Sequence, residues 1–569
     1  MKNYQKLLII ALVGLFLIAV GGCKKRYEGP FADLVVENAK IVTIDAENPR
    51  AEAIAVRGEE ILAVASNKAI KQYIDRNTTK VIDAKSRLVV PGFNDAHSHF
   101  SGIYVEELNL HDITDFKVIQ QMVKERVAEL KPGEWITGGG WEQERFPDKK
   151  WPTKEILDEV APDNPVRLSR IDGHSSWVNS YVIKMSGITK NTQSPPGGEI
   201  VKDPVTGEPT GIFKETAGRL IKRETAIELT PEEEEERSDR AIERALEEAA
   251  RFGVTSIQHL EGRQDQFKRL LDEGKLTSRI TFNMHLDKSE EHLKKMDELR
   301  KQYPPENNWL RFGFLKGFID GTVGSGTALY VDPYEDNPTS SGLPRMSYEE
   351  LEQTVIAADK MGFQIGIHAT GDKANNWILN AYEKAQQVNG KRDSRHRGEH
   401  VTSIIPSDFQ RFTELGVIAS MQPSHLIVVK RVAEKRLGLE RSKYTYACNS
   451  FLQAGAHLAF GTDWSLVTMN PLQDLYAAVE RKDPSGEAGD GWFPEQKIPM
   501  EKAIEFYTLG SAYAEFMEGR KGMLKAGYLA DMVIFNNDIT TIPHDQIMKT
   551  EVDYTIVGGK VVFHRQGAD

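Results

Sequence analysis

Two histidines spaced two apart, His97 and His99, close the stretch PGFNDAHSHF at residues 91–100, just behind the apolar run Leu88-Val89-Val90. Side chains on a strand alternate faces, so this spacing sends both imidazoles to one side, where they can hold one metal ion. Alone, such a pair is more often a surface or loop feature. Four further residues change the reading. Lys316 stands in RFGFLKGFIDG, His368 in IGIHATGD, His400 at the end of RHRGEH and Asp463 in LAFGTDW. Each lies in or just after a β-rich run.

The elements that must position them follow a rhythm. An amphipathic helix stops at a glycine, a β-rich run follows, and a polar or titratable residue ends that run. Thr230 and Pro231 form an N-cap and N1 pair, with Glu232 to Glu236 in the first turn, and that helix stops at Gly253 before VTSIQHL. Ser347 and Glu350 open a helix that stops near Gly362, before FQIGIHATGD. Similar helices stop at Gly416 and Gly455. Alternation of this kind argues for a parallel sheet. Candidate strands lie near Val90, Ile257, Phe282, Phe314, Ile365, Gly398, Ile418 and Phe460. About eight such units make an α/β fold, a (β/α)8 TIM barrel. In that barrel the HxH pair, His368, His400 and Asp463 end strands 1, 5, 6 and 8, and Lys316 lies on strand 4. All would open on the one face where barrel enzymes carry their sites.

The ends of the chain differ from the centre. ADLVVENAKIVTID and AEAIAVRGEEILAVA, with a hairpin turn at Arg57-Gly58-Glu59-Glu60, are small all-β structure. The same texture returns in GYLADMVIF and VDYTIVGGKVVF. The two ends are expected to form one composite β-sandwich, residues 31–89 plus 515–569. The barrel domain then covers 90–514, with an insertion at 141–228.

The first residues differ again. Lys2 and Lys6 precede an uncharged run, Leu7 to Val20, which ends in Val20-Gly21-Gly22-Cys23. The run is short for a membrane span and reads as the core of a signal peptide over residues 1–22. Its end resembles the lipobox of bacterial lipoproteins, which implies lipidation of Cys23, a tether over 23–30 and a membrane anchor through lipid alone. Lys24, in place of Asp, favours the outer membrane, with the chain facing the periplasm. The other reading is a plain secretory signal. Cys448 is the second of only two cysteines, so with Cys23 lipidated it is expected to be a core thiol. The 569 residues carry a formal charge of -12, which excludes nucleic acid as a natural partner.

HxH, Lys, His, His and Asp in this order resemble the metal-dependent amidohydrolase superfamily. Within it the chain is similar to the amidohydrolase-3, YtcJ-like branch that includes N-substituted formamide deformylase. GFNDAHSHF, RIDGHSSWVNS, GEPTGIFKETA, GFIDGTVGSGTALY, IHATGDKA, SMQPSH and AGYLADMVIF carry the resemblance, which spans about Ala32 to Phe563. It implies a divalent ion, zinc or one like it, held by His97, His99, His368 and His400 with Asp463. Imidazole and carboxylate suit zinc, whose bound water is acidified toward neutrality. Asp463 would take a proton from that water and return it to a leaving nitrogen. Relatives carry a carboxylated lysine between two metals, and Lys316 matches it. One ion or two depends on this residue, whose alternative is an ion pair with Asp320.

The implied reaction is hydrolysis of a carbon–nitrogen bond other than a peptide bond in a small molecule, of amide, N-acyl or N-formyl type. The alternatives are a deaminase, a cyclic-amide hydrolase, or a lipid-anchored binding protein on this scaffold. His174 in DGHSSW and His425 in QPSH are candidates to contact substrate or stabilise developing charge. Asp372, Asp320 and Trp141 are candidate substrate contacts, with Trp135 and Trp177 as further pocket aromatics. Each has a plain structural alternative, as a loop hydrogen-bonder or core side chain. Arg395 and Arg397 could bind an anionic group or solvate a loop. A homodimer is an open expectation.

Overall fold

The computed structural model describes residues 31–567, apart from 105, 112, 223–229 and 485–488. The leader, Cys23, the tether and the far end of the expected insertion lie outside the described residues.

Eight parallel strands form the central sheet. They are β1 (Phe93–Ser98), β2 (Val254–His259), β3 (Arg279–His285), β4 (Leu310–Phe318), β5 (Ile365–Ala369), β6 (Arg397–His400), β7 (Ile418–Met421) and β8 (Leu458–Phe460). Neighbours pair in sequence order from β1 to β8. The strands are buried almost throughout, as a sheet covered on both faces requires. The edges meet where the Asp463 N–H donates to the His97 carbonyl at 2.7 Å and the Thr462 N–H to Asp95 Oδ1 at 3.0 Å. A Cβ on Gly461 would fall 2.5 Å from the His97 nitrogen, so only glycine permits this closure.

The helices follow the sequence signals. The helix Pro231–Arg251 begins with a reciprocal capping box between Thr230 and Glu233, with Pro231 in its first turn. Ala241, Ile242, Ala245, Leu246 and Ala249 recur at helical spacing and are buried. Gly253, at φ +78°, turns the chain from this helix into β2, and a Cβ there would meet Val533 at 2.8 Å. Cys448 is a buried free thiol, which burial pushes up to about 11.

The chain ends meet in two small sheets. One orders Glu60–Ala65, Ala53–Arg57, Leu34–Glu37 and Lys80–Asp83. The other contains Leu88–Pro91 paired antiparallel with Met532–Phe535, Val90 opposite Val533. The hairpin read from the sequence forms, with Arg57 facing Glu60, and a second turns at Gly558-Gly559, with Val557 facing Lys560. The strand placed near Val90 therefore divides. Leu88–Pro91 belongs to the terminal sheet, and the barrel starts at Phe93.

The insertion also begins earlier than 141. A six-stranded sheet runs from Leu108–Asn109 through Ile136–Trp141, Val166–Arg170, Ser175–Val178 and Pro209–Glu215 to Gly198–Lys202. Three consecutive glycines, 138–140, hide the strand Ile136–Trp141 in the sequence. They are required because a Cβ on Gly138 would overlap the Leu108 carbonyl at 2.3 Å. At the opposite end of the barrel, Glu515 gathers Asn94 at 2.7 Å, Thr281 at 2.5 Å, Lys521 at 2.7 Å and Arg311 in one buried network.

Candidate metal centre

His97 ends β1, and its ring is wholly buried. Its Nδ1 donates to Glu399 Oε2 at 2.5 Å, which leaves Nε2 with a lone pair. That Nε2 lies 3.4 Å from Asp463 Oδ1. His99 repeats the pattern. Its Nδ1 donates to Glu261 Oε1 at 2.7 Å, and its Nε2 lies 3.2 Å from the same oxygen of Asp463. Carboxylates behind imidazoles fix the ring tautomer and raise ligand basicity, the usual support of a metal-binding histidine.

His400 ends β6 with its Nδ1 3.9 Å from Asp463 Oδ2. Both residues depart from their strands in the left-handed region, at φ +73° for His400 and +60° for Asp463. Among the described residues, His97, His400 and Asp463 bring ligand atoms within 4.8 Å of one another. His368, at the end of β5, sets its ring 4.4 Å from that of His400, while its Nε2 meets the Gly321 carbonyl at 3.0 Å. Lys316 on β4 places its amine 3.5 Å from His97 Nε2 and 4.8 Å over the Phe318 ring.

The electrostatics fit a divalent cation. Asp463 Oδ1 is buried and finds no hydrogen-bond partner in the protein. Burial pushes the Asp463 carboxyl up, but His97 and His99 hold it well below the usual range. Burial drives His97 down to about 4, with Lys316 adding to the effect. Burial likewise keeps His368 and His400 well below the usual imidazole range. His99 alone is raised, to about 9, because its bonds to Asp463 and Glu261 outweigh burial. Burial lowers Lys316 to about 8. Three neutral imidazoles, with His99 losing its proton as an ion enters, around an ionised carboxylate are the donor set that imidazole- and oxygen-binding metals take.

A cavity opens beside this cluster, reaching Asp463, His400 and His368. His174, from the insertion, faces it with its ring 5.0 Å from that of His368 and its Nδ1 2.8 Å from Glu215 Oε2. Burial would lower His174, but the Glu215 carboxylate raises it. His425 also lines the cavity, its Nε2 3.9 Å from Asp463 Oδ2. Burial keeps that imidazole low.

Three expected substrate contacts lie elsewhere. Trp141 is fully buried in the insertion core, its indole N–H donating to the Leu168 carbonyl at 3.0 Å and its ring against Trp151 and Trp177. Asp372 starts the helix Asp372–Asn389 and accepts the Val331 N–H at 2.9 Å. Asp320 is spent on three backbone N–H groups, those of Leu329, Gly371 and Thr370, at 2.8, 2.8 and 3.0 Å. Its Oδ1 also lies 3.7 Å from His368 Nε2, so the carboxylate ties this loop to the end of β5. Arg397 is buried against Gln258, Ser420 and the Ala96 carbonyl, and Arg395 pairs with Glu518. Neither waits for an anion.

Sequence reasoning missed the carboxylates behind the histidines. Glu399 directly precedes His400, and Glu261 follows His259 by two residues. A buried acid beside a ligand histidine is the available signal, but nothing local says which histidine it serves.

The amidohydrolase family profile matches residues 80–563. Protein LONG AFTER FAR-RED 3 of Arabidopsis thaliana is 35% identical over 94% of this chain and 92% of its own length. Putative amidohydrolase YtcJ of Bacillus subtilis is 30% identical over 92% and 98%. The N-substituted formamide deformylase of Arthrobacter pascens is 24% identical over 94% and 99%. Among solved structures, an uncharacterized metal-dependent hydrolase from Pyrococcus furiosus superposes with a TM-score of 0.67, at 27% identity, over 89% of this chain and all of its own.

Proposed function

The chain belongs to the amidohydrolase family and is a metal-dependent hydrolase, and from that premise we propose that it cleaves a non-peptide C–N bond in a small amide, of N-acyl or N-formyl type. The observation that carries this reading is Asp463 Oδ1, buried and unpartnered between the Nε2 atoms of His97 and His99. His97, His99, His400 and Asp463 would hold the ion, zinc by the chemistry of the donors, with His368 beside them. A divalent ion bound there acidifies water and polarises a carbonyl.

The chain's own residues do the rest. Asp463, held ionised, accepts the proton of the attacking water and delivers it to the departing nitrogen. His174 donates its Nδ1–H to Glu215, whose carboxylate favours the doubly protonated ring, and in that form its other ring nitrogen donates to the carbonyl oxygen. His425 lies on the Asp463 Oδ2 side, where the leaving group exits. Val428, Val429, Leu466 and Val467 give the cavity an apolar wall and exclude water from the proton transfers. A relative named for N-substituted formamides supports a small acyl group.

Lys316 supports a two-ion site. Its amine lies among the ligands, and burial lowers its pKa to about 8, so neutral amine is available for carboxylation. The Cys23 sequence supports an exported, lipid-anchored form in the outer membrane.

The test is to load the protein with zinc and assay N-substituted formamides, N-acyl amines and cyclic amides side by side. Turnover of the acyclic amides supports the reading. Turnover of cyclic amides alone, or ammonia release from amino-substituted rings alone, replaces it.

A further inference from the structure

The cavity wall carries a second set of polar atoms that the hydrolytic centre does not use. Trp141 ends its strand pointing into the insertion core, so Glu142, the next residue, takes the opposite face and lines the cavity. Arg170, the last residue of the neighbouring strand, lines it as well. Both are 1% exposed.

Each side chain is held on one side and open on the other. Glu142 Oε2 accepts from Arg431 Nη1 at 2.6 Å, while Glu142 Oε1 finds no partner in the protein. Arg170 Nη1 donates to Asp172 at 2.6 Å and its Nε to Gln143 at 2.8 Å, while Nη2 finds none. A buried carboxylate oxygen and a buried guanidinium N–H left unmet are each destabilising, the more so when charged. Two of them on side chains that line one cavity, each held by its other polar atoms, make a recognition site.

We propose that Glu142 and Arg170 form a specificity subsite for an uncharged polar group that both donates and accepts, a carboxamide, urea or hydroxyl, on a part of the substrate other than the scissile bond. This rests on the reading of the cavity as the site of amide hydrolysis. The chemistry selects the class by elimination. A carboxylate meets Arg170 but is repelled by Glu142 and leaves Oε1 unmet. An ammonium meets Glu142 but is repelled by Arg170 and leaves Nη2 unmet. A hydrocarbon end leaves both unmet. A carboxamide satisfies both through N–H and C=O. The charges around the subsite are already paired, Arg431 with Glu142 and Asp483, Arg170 with Asp172. Ile171, Val323, Val429 and Val432 also line the cavity, so the body of the substrate beside the polar group is apolar.

The test uses the zinc-loaded full chain and two matched probe series over a ladder of chain lengths. Hydroxamic acids, which bind metal without being cleaved, carry carboxamide, isopropyl, carboxylate or ammonium tails, and formamides carry the same tails. At the best length the carboxamide hydroxamate should bind about tenfold or more tighter than each of the others. Glu142→Gln should narrow the gap between carboxamide and carboxylate about tenfold by removing the repulsion. The comparison within the parent protein stands even if that variant fails to fold. Equal affinity for isopropyl and carboxamide tails at every length, or no hydroxamate binding at all, overturns the subsite. If the formamides are cleaved while the tails go undiscriminated, the hydrolase reading survives and the subsite falls. If the tails rank as expected while no formamide is cleaved, the subsite stands and the hydrolase reading falls.

Discussion

His97 and Glu399 are joined by a 2.5 Å hydrogen bond between two wholly buried side chains, contributed by the first and sixth strands of the barrel. Burial pushes the Glu399 carboxyl up, but Arg397 and His97 outweigh it and hold it at about 2. The bond fixes the proton on His97 Nδ1. Glu399→Gln should therefore weaken zinc binding about 10–100-fold, read by competition with a chelator. It should also cost stability, because Arg397 loses its buried partner, by about 3–5 kcal/mol. Unchanged zinc affinity would remove Glu399 from the support of the metal centre.

Asp463→Asn keeps the shape of the side chain and removes its capacity to take a proton. Turnover should fall about 10²–10⁴-fold with zinc content held near the parent value. Parent-like turnover would assign proton transfer to another group, with His425 the next to examine.

Lys316→Ala should lower bound zinc by about one equivalent, measured by elemental analysis of protein purified in zinc-containing buffer. Bicarbonate should speed metal uptake by the parent and leave the variant unaffected. Equal zinc content in the two proteins would make Lys316 a structural neighbour of a single ion.

The sign of one pH effect follows from Glu515. Burial raises its carboxyl, but Arg311 and Lys521 outweigh it and lower it to about 2, from 4.5. A depressed carboxyl adds stability that is complete above pH 4.5 and is lost as pH falls toward 2. Glu515→Gln should be less stable than the parent at neutral pH, with the difference shrinking as acid is added. Thermal unfolding of both proteins down the acid range reads this directly. A constant difference would mean that the carboxylate charge is not what holds the network.

Cys23→Ala should move the chain from the membrane fraction to the soluble fraction of the cells that make it, with zinc content unchanged. Retention in membranes would replace lipidation with another mode of attachment.

Much of this architecture was legible in the sequence because its signals are local. Gly253, Gly362, Gly416 and Gly455 announce the helix-to-strand joints, and all four take positive φ. The Thr230 cap and the Gly558-Gly559 hairpin are equally local. The candidate ligands could be picked out in the sequence because each lies near or just past the end of a β-rich run. What escaped depended on side-chain direction at the ends of irregular strands. Trp141 looks like a pocket aromatic, yet it is its neighbour Glu142 that reaches the cavity. Asp320 and Asp372 sit in family motifs, but their carboxylates are consumed by backbone N–H groups that sequence cannot place. Glu215, behind His174, comes from a strand 41 residues away and has no local mark.

The hydrogen bond from the Asp463 N–H to the His97 carbonyl joins the two ends of a sheet that is otherwise built neighbour by neighbour. The first histidines of the centre leave the ribosome more than three hundred residues before its aspartate. No fragment that lacks the eighth strand can hold the full ligand set, however well its earlier strands pair. Closing so long a loop comes late in folding. Acquisition of the metal is thus tied to completion of the ring. Were the chain exported unfolded, as proposed, its ion would be taken from the compartment in which the barrel is finished.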